Sequence, residues 1–167
     1  MAELGRQGLP VDRCSRLYKT PCFPAGAGPD YVNAAANIPL RQGQSATDVL
    51  ALLHKVEGVF GRERRQRWGM RTLDLDLVAI GDSVLPDVAT HLNWLNLSPD
   101  RQHQIAPDQL ILPHPRLQDR AFVLVPLADI APNWVHPVSG LTVRQMLAAL
   151  PQADRDAVVA LPPRAAG

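Results

Sequence analysis

Strand-like and helix-like stretches are mixed along one chain of 167 residues, which predicts a single α+β domain. Three stretches carry that reading. Residues 31–38 alternate, with Val32, Ala34, Ala36 and Ile38 on one face and Tyr31 and Asn33 on the other. Residues 47–60 place Val49, Leu50, Leu53, Val56 and Phe60 at helical spacing. Residues 72–80 alternate again, setting Leu73, Leu75 and Leu77 against Asp74 and Asp76. A chain of this length buries roughly 68–70% of its unfolded surface in one core.

Taken in order, residues 1–10 are turn-rich and read as a helix remnant or tail. Val11–Lys19 reads as a strand, and Thr20–Pro29, rich in proline and glycine, as a loop. Ser45 or Thr47 caps the helix that follows, on whose surface His54 and Glu57 are neighbours. The strand over 72–80 ends at a Gly81-Asp82 turn. Val88–Gln109 is a long connection, the kind that forms lids or locally ordered excursions. Prolines keep Leu110–Pro115 extended. Periodicity leaves Ala121–Ile130 open between helix and strand. Thr142 and Gln145 form a capping-box pattern for a helix that Pro151 ends.

A net charge of +1 gives no global argument for nucleic acid or anionic membrane. The 16 prolines, nearly twice the usual share of about 5%, imply constrained loops rather than disorder. Cys14 and Cys22 lack metal-ligand spacing, no apolar run reaches membrane-span length and no segment reads as an export signal. The expectation is a reduced, cytoplasmic protein in which Cys14 is a small buried residue.

Local charge is more informative than the total. On a strand, Asp74 and Asp76 point to one side about 6.5–7 Å apart, close enough to share hard cations. Just upstream lie Arg62, Arg64, Arg65, Arg67 and Arg71. Carboxylates that hold a metal, beside arginines that cover remaining charge, suit a polyphosphate. Taken alone, the aspartate pair reads equally well as a solvated strand face. His114 is held between Pro113 and Pro115, and Arg120 precedes an apolar run. Tyr31 with Asn33, and Trp68 beside the arginines, offer stacking and amide contacts to a flat heterocycle, or simply surface and core.

In this order the motifs YKTP (18–21), PDYVN (29–33), EGVFGR (57–62), RWGMRTLDLD (67–76) and PHPRLQDRAFVLVPL (113–127) resemble those of the 6-hydroxymethyl-7,8-dihydropterin pyrophosphokinase family of folate biosynthesis. The resemblance runs from about Cys14 to Pro132. It implies a ferredoxin-like α+β fold, an antiparallel sheet with helices packed on it, forming one domain over residues 1–167. It also implies transfer of pyrophosphate from ATP to the pterin hydroxymethyl group, with release of AMP. By the same resemblance, Asp74 and Asp76 ligate two Mg²⁺ ions and act catalytically with Arg71 and His114. Glu57, Arg64, Arg71, His114 and Arg120 match ATP contacts. Thr20, Pro21, Phe23, Tyr31, Asn33, Trp68 and Phe122 match the pterin pocket. The partners implied are small molecules, with no nucleic acid and no membrane.

Departures from the family pattern are Met70 for a proline, His54 for a glutamine and Gln109 for an arginine. The family opens with a strand, a Gly-Ser-Asn loop and a long helix, whereas residues 2–9 resemble only the tail of that helix. The expectation is a domain shortened at its amino terminus, without the first strand, and monomeric unless a partner supplies one. Two other readings remain open: a nucleotide- or pterin-binding remnant of impaired activity, and an RNA-binding ferredoxin-like module.

Overall fold

Ser45 begins the helix around which one half of the molecule is built. In the computed structural model, which describes residues 1–22, 28–61, 72–98, 101 and 104–163, α2 spans Ala46–Val59. The Ser45 hydroxyl accepts from the Asp48 N–H, and the Asp48 carboxylate accepts from the Ser45 N–H. Such a reciprocal cap satisfies two donors that a helix start otherwise leaves open. Its buried stripe, Val49, Leu53 and Val56, meets Leu4 of α1 (Ala2–Arg6) and Leu9 just beyond it. Residues 2–9 therefore do hold a short helix, as their sequence suggested.

The sheets are antiparallel and small. The strand β1 (Arg13–Cys14) pairs with β4 (Ala36–Asn37). Between β3 (Tyr31–Asn33) and β5 (Val159–Ala160) lies β2 (Tyr18–Thr20), with Tyr18 opposite Asn33 and Thr20 opposite Tyr31. The two strands expected over 11–19 and 31–38 each divide in two at the Ser15–Ala35 pair. There the Ser15 N–H donates to the Ala35 carbonyl, while the Ala35 N–H donates to the Ser15 hydroxyl, so a side chain replaces one ladder bond. Two expectations are corrected here. Cys14 is exposed, because both residues of β1 face outward. The apolar face of 31–38 is not buried as a unit: Val32, Ala34 and Ala36 are exposed, and only Ile38 reaches the core.

The predicted strand over 72–80 is also corrected. Burial does alternate as expected, with Leu73, Leu75 and Leu77 turned toward the α2 core and Asp74 and Asp76 exposed. Among the described residues, however, no ladder forms along it. Leu75 N–H donates to the side chain of Glu57, and the Val78 carbonyl accepts from His114 N–H. The physical reason lies in its neighbours. One is a helix side chain, and the other contains Pro113 and Pro115, which have no N–H to give a ladder.

A second core forms around Leu117, Leu124, Val143 and Met146. The apolar run left open by periodicity is a helix, α4 (Ala121–Ile130), burying Ala121 and Leu124 and tolerating Pro126 in its interior. It packs on α5 (Val143–Ala149), which the Thr142–Gln145 capping box begins as predicted. Val78 packs into this second core while Leu73, Leu75 and Leu77 pack into the first. The Asp-bearing segment thus spans the junction of the two. The long connection contains α3 (Val88–Leu95), whose first turn is capped by the Asp87 carboxylate. With antiparallel sheets and helices packed on them, the fold is α+β. Among the described residues no helix is long and apolar enough to cross a membrane.

Candidate active site

Two neighbours fix the segment that carries the paired carboxylates. Glu57, fully buried on α2, accepts the Leu75 N–H at 2.8 Å, so the backbone between Asp74 and Asp76 is held from behind. His114 N–H reaches the Val78 carbonyl at 2.8 Å, tying the Pro-His-Pro turn two residues beyond Asp76. Since Pro113 and Pro115 have no N–H, this is the one backbone donor the turn offers.

Asp74, Asp76, His114, Arg116 and Arg120 line one cavity of about 560 Å³. His54 and Leu50 of α2 line it on one side. Trp94 of α3 and residues 105–111 line it on the other, so the long connection forms a wall of this cavity. Trp94 and residues 105–109 of that connection thus have a place at the cavity that their sequence alone does not reveal.

The His114 ring is oriented by its own turn. Arg116 N–H donates to Nδ1 at 3.0 Å, so in the neutral ring the proton resides on Nε2. Burial pushes the His114 pKa below the usual value, helped by Arg120 and Arg116 and opposed by Asp76. At neutral pH the imidazole is therefore an uncharged N–H donor. Arg120 is half-buried, and burial lowers its pKa too, with Arg116 adding to that while Asp76, Asp119 and Asp74 oppose it. A guanidinium stays charged under such shifts. The arrangement sets two carboxylates, two guanidinium groups and a neutral N–H donor around one cavity.

Other predicted residues lie apart from this lining. Thr20 is buried and its hydroxyl accepts from the Asn33 amide at 2.7 Å, fixing Asn33 on β3. Tyr31, across from Thr20, is exposed, as is Pro21. Phe122 is exposed on α4, with the Arg120 guanidinium 5.6 Å from its ring centroid. Because α4 packs against β2 and β3, Phe122 and the Tyr31–Asn33 strand belong to neighbouring elements, linked to the cavity through Arg120. Glu57 does not line the cavity and acts on it through Leu75. Phe23, Arg64, Trp68 and Arg71 lie outside the described residues, as do the other predicted arginines of the 62–71 stretch. Sequence reasoning missed Arg116, whose backbone orients His114; its place two residues after the histidine was the available signal.

The family model for 7,8-dihydro-6-hydroxymethylpterin-pyrophosphokinase matches residues 1–132. Three relatives named 2-amino-4-hydroxy-6-hydroxymethyldihydropteridine pyrophosphokinase are similar to the chain. The protein from Synechocystis is 40% identical over 84% of this chain and 60% of its own length. That from Methylorubrum extorquens is 33% identical over 86% of this chain and 75% of its own. The Haemophilus influenzae protein is 34% identical over 75% of this chain and 64% of its own. The chain thus spans about 60% of the first of these relatives. By motif order, family match and relatives, the chain belongs to the 7,8-dihydro-6-hydroxymethylpterin-pyrophosphokinase family.

Proposed function

We propose that the protein transfers pyrophosphate from ATP to 6-hydroxymethyl-7,8-dihydropterin, giving the pterin diphosphate and AMP. The observation that carries this reading is the convergence of Asp74, Asp76, His114 and Arg120 on one cavity. The relatives' names supply the substrate class.

Two exposed carboxylates fit Mg²⁺, which takes one or two protein carboxylates and completes its shell with water and phosphate oxygens. Asp74 and Asp76 would hold two such ions. When bound, they neutralise phosphate charge and polarise the phosphorus under attack.

The remaining work falls to the protein's own groups. Arg116 and Arg120 place positive charge where the phosphates sit. His114 donates Nε2–H to a phosphate oxygen without adding charge. Thr20 holds Asn33 so that its side chain meets the polar edge of the pterin, while Tyr31 and Phe122 flank its plane. Pro21, Phe23 and Trp68 complete that pocket, and Arg64 and Arg71 add to the phosphate contacts. Glu57 keeps the backbone between the two aspartates in place. Phosphoryl-group transfer demands mainly such positioning and charge neutralisation. The protein acts in this reading as a cytoplasmic, monomeric single domain on small molecules, with no nucleic acid partner. The family match favours it over a nucleotide-binding remnant or an RNA-binding module.

Chromatography of the nucleotide products tests the proposal. AMP formed in step with pterin diphosphate, and only with Mg²⁺ present, supports it. ADP as the product, or no turnover with both substrates and Mg²⁺, overturns it.

A further inference from the structure

Behind the Pro-His-Pro turn lies a pair of histidines that the proposed chemistry does not use. His91 is the buried residue of α3 and His136 precedes the 137–140 turn; both are essentially inaccessible. Their ring centroids are 5.6 Å apart, and Trp134 meets the His136 ring edge-on at 5.7 Å.

Hydrogen bonds assign a tautomer to each ring. His91 Nε2 is 3.0 Å from the carbonyl oxygen of Pro113, which can only accept, so Nε2 bears the hydrogen and Nδ1 the lone pair. His136 Nδ1 accepts from the N–H groups of Val138 and Ser139 at 3.2 and 3.3 Å, so its hydrogen sits on Nε2. The two ring atoms left over, His91 Nδ1 and His136 Nε2, are both buried without a hydrogen-bond partner. One is an acceptor and the other a donor, so they are complementary when both rings are neutral. A water shared between them would satisfy both.

The consequence reaches the cavity through one residue. Pro113 is fully buried, and His91 supplies a partner for its carbonyl. Leu112 is bonded to Leu85 in both directions, His114 N–H to Val78, and His114 Nδ1 to Arg116 N–H. The Leu117 N–H also donates to the His114 carbonyl, so each of residues 112–114 is anchored. Leu112 and His114 are held by backbone bonds to Leu85, Val78 and Leu117, whereas the Pro113 carbonyl is held by a side chain sent in from the long connection that also walls the cavity. Without it, the bond at Pro113 next to His114 is the one missing.

We propose that His91, backed by His136, is a positioning residue: it holds the Pro113 carbonyl so that His114 keeps its Nε2–H toward a bound phosphate. The role of His114 in this statement rests on the proposed function, whereas the effect on the turn does not. A conservative replacement separates geometry from bulk. His91→Gln keeps an N–H donor in reach of Pro113, while His91→Phe keeps the volume and loses the donor.

Long-range ¹H–¹⁵N spectra of the histidine rings, with turnover measured on the same samples, test this. The unchanged protein should show Nε2–H tautomers for His91, His114 and His136. In His91→Phe, His114 should lose its single-tautomer signature, and kcat should fall roughly 10–100-fold with the pterin KM little changed, as misplaced groups do. His91→Gln should restore both. An Nδ1–H tautomer for His91 in the unchanged protein overturns the proposal, even if His91→Phe does not fold. So does a folded His91→Phe with unaltered His114 signals and kcat. If the signals shift but the unchanged protein makes no AMP, the proposed function fails while the positioning role stands.

Discussion

At the scale of single residues, the site separates groups that face the cavity from groups that hold them. Asp74 and Asp76 are exposed to it, while Glu57, fully buried, fastens the backbone between them. Replacing Glu57 by alanine leaves the half-buried Leu75 N–H without this acceptor, a loss worth about 1 kcal/mol. The urea midpoint should fall accordingly, and Glu57→Gln, which keeps an acceptor oxygen, should recover most of it. An alanine variant as stable as the unchanged protein would remove Glu57 from this role. The sequence made the aspartates legible because alternation with leucine survives any tertiary detail. It did not separate Glu57 from the nucleotide contacts, since burial of a carboxylate depends on what packs over it. The histidine pair was equally illegible: His91 and His136 are 45 residues apart, and only the fold brings them together.

Among elements, helices followed their local signals better than strands did. The caps at Ser45 and Thr142 act within four residues, so the sequence alone places the second helix start and narrows the first to Ser45 or Thr47. Strand limits depend on partners elsewhere. One serine side chain divides two predicted strands, and two prolines deny a ladder to the Asp-bearing segment. A contact between elements that no motif announces is the one Asp129 makes from α4. It takes both Arg16 guanidinium bonds, at 3.0 and 3.1 Å, and the Tyr18 hydroxyl at 2.8 Å, pinning the helix to β2. Those bonds, led by Arg16, hold the Asp129 carboxyl below its usual range. Asp129→Ala should cost about 1–3 kcal/mol, because the largely buried Tyr18 hydroxyl loses its acceptor. Chemical denaturation checks this, and no change in midpoint would show that the helix is held by packing alone.

For the molecule as a whole, the Asp-bearing segment joins two hydrophobic cores, so the site's geometry depends on both being intact. Its buried histidines make that dependence visible through pH. Burial, and then the neighbouring His91, hold His136 below its ordinary 6.5, and burial does the same first of all at His114. Between those lowered values and 6.5 the unfolded chain binds more protons than the folded one. Stability therefore falls as pH drops through that window, and levels off once the folded rings are protonated. The urea midpoint should be lower at about pH 5.5 than at about pH 7.5, and the gap should narrow in His136→Asn, which keeps an acceptor for the 138–139 amides. A midpoint that rises on acidification would contradict rings of His136 and His114 kept neutral by burial. Family, fold class and the carboxylate pair were thus readable from motif order, whereas the cavity wall and the anchors of its histidine arise from contacts across the whole chain. The central claim is that Asp74 and Asp76 carry the metal-dependent transfer. Its most direct test is the rate of Mg²⁺-dependent AMP formation from ATP and the hydroxymethyl pterin, compared among the unchanged protein, Asp74→Ala and Asp76→Ala. A loss of roughly 100-fold or more in each folded variant is predicted; near-normal AMP formation in either would contradict it.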